Sequence, residues 1–475
     1  MTRRIRYLDD DQVQKVHENA LALLQEQGFL VDHPGMLALL ADHGATVDME
    51  RRVARVEPEL VQRCLDAAPR EVLLAARDAE RDVRLRCDPA APICRNGGGV
   101  DRLVDPESGE DRDMGLADVQ ALTRALDAMD GIDVVAPLYP RDVDDDVRDL
   151  VVLQTLLANT SKHVNIRTFS KQNLGALLRM GELVAGGEEA LRERPLFSLF
   201  DSPVSPLRFP ELTVDVYMAA GAAGVPLFVA NLPIAGATGP FPLAGMVQLL
   251  HTELLASVVI CQTANPGAPL VLHPLAMTMD WKTAVGLTGS IEATMITAGA
   301  VQVANAIFGL PVDVHGPWSD TFTADPQSMM ERTFQTMVPA LAGAASMAGF
   351  GDLQEGLIFC PVQLGMDEEL IAYTRRTLEG FPVDDHRLAT EAIKRVGFTG
   401  NYMTDETTIK YLRSDYHQPR VLNRVSRQTW EQQGKPDANA RARERVLELM
   451  RSHAPTPLAD GLEQELQAVI DGLGD

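Results

Sequence analysis

Much of the equipment of familiar enzymes is missing from this chain. Its 475 residues include only five cysteines, Cys64, Cys87, Cys94, Cys261 and Cys360. Their odd number, irregular spacing and lack of a CxxC pair argue against a disulfide framework and fit free thiols in a reducing compartment. No HxH or HExxH offers two close histidines to a metal, so no protein-bound metal is expected. No GxSxG marks a serine nucleophile, no GxGxxG follows a strand to hold a dinucleotide, and no DxHxxG supplies the lower ligand of a corrinoid-binding domain. No run reaches the ~18 apolar residues of a membrane span. The basic start Met1-Thr2-Arg3-Arg4 leads into no apolar stretch, so a signal peptide is not expected and cytoplasm is the expected location.

Positive charge is also in short supply. Lysine and arginine number 43 against 67 aspartates and glutamates, a formal charge of −24. That balance argues against nucleic acid and anionic membranes as partners. Aromatic residues make up only 5% of the chain, so an aromatic in a loop carries more information here than usual.

What is present is alternation. Helical periodicity covers residues 9–27, 34–43 and 58–67, and residues 1–90 read as an N-terminal helical extension. Glycine-broken runs over 91–130, including Ile93 to Val100 and a turn at Glu107-Ser108-Gly109-Glu110, suggest a small antiparallel element and a linker helix. From residue 131, short apolar runs at 131–136, 163–169, 195–200, 226–231, 269–273, 311–315, 349–353 and 356–360 stand between longer helical segments. Eight such runs predict an α/β fold, an eight-stranded β/α (TIM) barrel over 131–400. Amphipathic segments after it give a C-terminal helical extension over 401–475.

In such a barrel the reactive groups lie at the C-terminal ends of strands. Those positions hold Tyr139, Arg167, Asp201, Asn231, His273, His315, Trp318, Asp320, Asp352, Glu355 and Phe359. The densest group is His315-Gly316-Pro317-Trp318-Ser319-Asp320. A tryptophan beside a carboxylate suits a quaternary ammonium, which has no N–H to donate and is held by aromatic faces and nearby negative charge. The plainer alternative is a tryptophan that closes the barrel mouth by packing while Asp320 caps a turn. A glycine-rich stretch from Leu232 to Gly245, with Gly236 and Gly239, could present backbone amides to an anion or simply turn tightly.

Taken in order, Asn96 to Gly99, Ser205-Pro206-Leu207, Gly236-Ala237-Thr238-Gly239-Pro240, Asn265-Pro266-Gly267-Ala268-Pro269, Gly289-Ser290 with Glu292, Ser319-Asp320 and Pro455 to Leu458 resemble the trimethylamine methyltransferase family over nearly the whole chain. The resemblance implies a barrel that moves a methyl group from an amine nitrogen to a corrinoid. That corrinoid (a cobalamin) is carried by a cognate partner protein or free in solution and is not tightly bound here. The founding enzymes carry pyrrolysine, and no such residue is written in this chain. It therefore resembles the pyrrolysine-free branch, for which glycine betaine and other quaternary amines are the implied substrates. Trp281-Lys282-Thr283 and Cys360-Pro361 depart from the family pattern.

On this reading Asp320 and His315 are the expected catalytic residues, and Trp318, Phe359 and Tyr139 are expected to cage the ammonium. Arg167, Asn231, Gly236 and Gly239 are candidates for the carboxylate, and His273 and Glu355 for further substrate contacts. A homo-oligomer is expected. Two other readings remain open: a non-catalytic barrel that binds methylated amines, and a barrel lyase or hydrolase acting on a small anion.

Overall fold

The computed structural model describes residues 5–473. Eight parallel strands form the barrel: β1 (Ile93–Asn96), β2 (Val134–Val135), β3 (His163–Ile166), β4 (Phe197–Asp201), β5 (Leu227–Asn231), β6 (Leu270–Pro274), β7 (Asp313–His315) and β8 (Ser346–Phe350). Their spatial order is β6-β5-β4-β3-β2-β1-β8-β7. The two ends of that row meet through a parallel bridge between Leu272 and Val312. Strands this short are buried along their length because helices cover the outside, so they read as brief apolar runs rather than as clean alternation.

The covering helices are α1 (Leu116–Ala128), α2 (Arg148–Asn159), α3 (Lys171–Ala185), α4 (Glu211–Ala223), α5 (Leu243–Ala264), α6 (Ile291–Ile307), α7 (Pro326–Ala342) and α8 (Pro361–Glu379). By length and composition α5 could cross a membrane, contrary to the reading that no run is long enough. In the fold it is a core helix. Its buried Glu253 accepts from Ser205 Oγ at 3.0 Å and from the Leu207 amide at 2.9 Å, bonds that hold the β4–α4 loop.

Two strand assignments are corrected. Ile93–Asn96 belongs to the barrel, where β1 pairs in parallel with β2 and β8, and not to a small antiparallel element. The run at 356–360 is not a barrel strand. Ile358–Phe359 pairs antiparallel with Asp352–Leu353 and in parallel with Arg102–Val104, forming a small sheet beside the barrel mouth. The barrel therefore begins near residue 93 and its strands end at residue 350.

The N-terminal region is not purely helical either. Phe29–Val31, Thr46–Asp48, Val53–Arg55 and Arg208–Phe209 make a four-stranded sheet. The hairpin of Glu71–Leu74 with Val83–Arg86 plugs the lower barrel end, where Val72, Leu74 and Leu85 pack against Val134, Phe228 and Val271. With its lower end filled by apolar side chains, the barrel opens, among the described residues, at the end where the strands terminate.

Candidate functional site

At that open end, side chains facing inward enclose a cavity of about 230 Å³. Arg95 from β1, Asn165 from β3, Phe200 from β4 and His315 from β7 line its depth, and Tyr139, Arg167, Phe169 and Trp318 line it nearer the mouth. Four aromatic rings thus surround one small space in a chain that is poor in aromatics. Phe169 stands half-exposed at the rim and touches Tyr139 edge to face, with ring centroids 5.2 Å apart.

Trp318 is held on three sides. Its ring lies 4.1 Å from that of His315, and its Nε1 donates to Asp352 Oδ2 at 3.2 Å. Gly349 and Gly356 leave room for the indole, since a Cβ at either would sit 2.8–2.9 Å from a ring atom. Asp352 is buried, and burial pushes its carboxyl up to about 8. Gly97, at the end of β1, gives it space: a Cβ there would overlap the carboxyl group.

Beneath Trp318 runs a chain of polar groups. Arg95 Nη2 donates to Asp313 Oδ2 at 2.6 Å. His273 Nδ1 lies 2.5 Å from the same oxygen, and His273 Nε2 lies 2.6 Å from His315 Nδ1. Burial alone would raise the Asp313 carboxyl, but the Arg95 charge and the hydrogen bonds from Arg95 and His273 hold it far below the usual carboxylate range. Burial drives both histidines toward the neutral form, and for His315 the neighbouring His273 and Arg95 add to it. The hydrogen bonds then assign the protons. His273 Nδ1–H donates to Asp313, His315 Nδ1–H donates to His273 Nε2, and His315 Nε2 keeps its lone pair. Such a chain fixes the ring of His315, and it offers no ready acid at neutral pH.

Of the residues expected in the site, Tyr139, Arg167, His315 and Trp318 line the cavity, and His273 lies directly behind His315. Arg167 approaches Asp201 at 3.5 Å and is 43% exposed. The others are placed elsewhere. Asp320 Oδ1 accepts from the Thr288 amide, the Thr288 hydroxyl and the Gly289 amide, so it ties two loops together instead of facing the cavity. Glu355 stands near Asp320 and Glu331. Burial and then those two carboxylates push it up to about 7, and its neighbour Gly356, not Glu355, lines the cavity.

Phe359 is fully buried in the core beneath Gly351. Asn231 turns outward to α5, where its Nδ2 donates to Leu250 O at 2.9 Å. The amides of residues 236–239 all bond within their own loop, to Gly239 O or Ile234 O, so Gly236 and Gly239 form a closed turn and not an anion cradle. Sequence reasoning missed Arg95, Asn165, Phe169 and Phe200. The signal available was a polar residue inside an apolar run, Arg95 in Ile93-Cys94-Arg95-Asn96, which an antiparallel assignment leaves outside the barrel. Among the described residues no group of three or more His, Cys, Asp or Glu is placed to hold a metal ion.

Comparison with known proteins bears on the same chain from end to end. The family model described as "Trimethylamine methyltransferase (MTTB)" matches residues 1–472. The trimethylamine methyltransferase MttB of Desulfitobacterium hafniense (strain DSM 10664 / DCB-2) is 32% identical over 467 residues, covering 98% of this chain and 93% of that protein. The glycine betaine methyltransferase of D. hafniense (strain Y51) is 26% identical over 466 residues, covering 98% and 96%. Among solved structures, the monomethylamine methyltransferase of Methanosarcina barkeri superposes with a TM-score of 0.55 at 11% identity, covering 99% of this chain and 89% of that one. At that identity the likeness concerns the fold.

Proposed function

Since this chain belongs to the trimethylamine methyltransferase family, we propose that it moves a methyl group from a quaternary amine, glycine betaine first, to the Co(I) corrinoid of a separate protein. The observation that carries the choice of a quaternary amine is the cavity itself, walled by Tyr139, Phe169, Phe200 and Trp318 and backed by histidines held neutral. A trimethylammonium group gains from aromatic faces and needs no hydrogen-bond acceptor. Its departure as a neutral tertiary amine requires no proton, so the protein's task is to desolvate, orient and enclose it. A corrinoid supplies the nucleophile. All residues written in the chain are standard ones, which fits the pyrrolysine-free branch.

Self-association belongs to the same reading. Residues 381–416 expose Phe381, Phe398, Met403, Ile409 and Tyr416, large apolar side chains of the kind an interaction surface uses.

The test follows the amine. Purified protein, reduced corrinoid protein and glycine betaine bearing deuterated methyl groups are expected to yield dimethylglycine, identified by mass spectrometry. Intact betaine after prolonged incubation, with trimethylamine demethylated instead, would overturn the choice of substrate.

A further inference from the structure

Two guanidinium groups reach the cavity at different depths. Arg95 leaves β1 opposite Val134 of β2, which is itself opposite His163 of β3. Because the register climbs by about one residue per strand in a tilted barrel, Asn165 stands level with Arg95, and Arg167, just past the end of β3, lies roughly 5–7 Å closer to the mouth. Exposure agrees: the Arg95 side chain is 4% exposed and that of Arg167 is 43%. Arg95 is therefore the cation of the closed end.

Its hydrogen bonding is incomplete there. Nη2 is bound to Asp313 and Nε is enclosed without a partner, while Nη1, which makes no hydrogen bond among the described residues, is the donor left for the cavity. The guanidinium carbon lies 5.8 Å from the Phe200 ring centre and 5.3 Å from that of Phe228, so apolar walls isolate it from water. A buried cation with donors to spare at the end of a small cavity is suited to a carboxylate.

Size sets the direction of the substrate. A cavity of about 230 Å³ admits a small amine and no macrocycle, so the methyl that leaves must face the mouth. The other end of the molecule then lies against Arg95. We infer that Arg95 binds a substrate carboxylate, and that the substrate class is the betaines: a quaternary nitrogen joined through a short carbon spacer to a carboxylate, with its methyls turned outward. Tyr139, Phe169 and Trp318 surround the nitrogen one layer above. Asp313, itself held by His273, keeps the guanidinium in place from behind. Choline carries the same ammonium without the anion, so it would bring positive charge to Arg95 and leave the spare donors unfilled.

This inference rests on the methyl-transfer reading, and titration calorimetry separates the two. The probes are glycine betaine and choline, added to the wild type and to Arg95→Gln, Arg95→Lys and Arg167→Gln. The wild type is expected to prefer betaine by at least about tenfold, and Arg95→Gln to bind betaine about thirtyfold more weakly with choline changed by less than about threefold. Arg95→Lys, which keeps a cation beside Asp313, is expected to fall between. Arg167→Gln is expected to keep the betaine preference. A preference that survives Arg95→Gln and Arg95→Lys, or that is lost only in Arg167→Gln, overturns the role of Arg95. A crystal structure of the wild type soaked in betaine decides the same question without relying on any variant: a carboxylate on Arg95 supports the inference and one on Arg167 refutes it. If the wild type binds neither probe, the methyl-transfer reading falls and the inference with it. If betaine is bound and demethylated without regard to Arg95, only the inference falls.

Discussion

Trp318 and Asp320 are two residues apart, and the fold gives them different tasks. Trp318 presents its ring to the cavity, whereas the Asp320 carboxylate is already engaged by Thr288 and Gly289. Trp318→Ala is expected to weaken betaine binding from a few-fold to about thirtyfold, the range of a cation–π contact of roughly 0.5–2 kcal/mol. Asp320→Asn is expected to leave that affinity within about twofold, the range of a change that removes no ligand contact. Calorimetry on both variants checks this, and equal losses would return the ammonium to Asp320. Position at a strand end was enough to place Tyr139, Arg167, His315 and Trp318 at the cavity. It failed for Asn231 because successive strand residues face opposite sides, and sequence position alone does not say which side, and for Phe359 because its run belongs to the small sheet beside the mouth and not to the barrel.

Buried histidines set the response to acid. Burial pushes His163 down to about 4 and His251 to about 3, from an ordinary value of 6.5. The unfolded chain takes up protons near 6.5 that the folded chain refuses until those lower values. The histidine contribution to stability is therefore complete above about 6.5 and falls as the pH drops through that window. Asp352, raised to about 8, acts in the opposite sense: its contribution is complete below about 4 and is lost as the pH rises through 8. The melting temperature is expected to fall between about pH 6.5 and about pH 4.5, and to fall less steeply in His163→Gln. An identical slope in that variant would remove His163 from the explanation.

Among the elements, the upper end of β8 hangs on one buried ion pair. Arg332 Nε donates to Asp367 Oδ1 at 2.8 Å and Nη2 to Gly349 O at 3.1 Å, while Asp367 Oδ2 accepts the Gly351 amide at 2.8 Å. The pair thus joins α7, α8 and the segment that carries Asp352 toward Trp318. Asp367→Ala strands a buried guanidinium and is expected to cost about 3–5 kcal/mol in denaturant unfolding. The double variant Arg332→Met with Asp367→Leu is expected to recover much of the loss. A single-variant cost under about 1 kcal/mol would contradict the pair's role.

Most helices of the barrel were legible because their apolar positions recur with helical spacing over many residues; α4 and α5 begin where that spacing places them. Strands of two to five residues carry far less signal. β1 was missed because Arg95 and Asn96 make half of it polar; Arg95 faces the cavity, whereas Asn96 faces away and bonds the backbone of Ala136. The run at 356–360 has the texture of a barrel strand, but β1 already fills the eighth place in the ring.

Across the molecule, the family pattern extends over residues 1–472, and the helices and strands outside the barrel plug its base and flank its mouth. The formal charge of −24 makes any association with a charged partner depend on ionic strength. Everything proposed for the site depends on this barrel taking a methyl group from a quaternary amine. The Co(I) absorbance of the reduced corrinoid, followed anaerobically with wild-type protein and either glycine betaine or trimethylamine, reads that step itself. The Co(I) band is expected to disappear with betaine, one equivalent for each dimethylglycine formed, and to persist with trimethylamine. A band that persists with betaine and disappears with trimethylamine would contradict it.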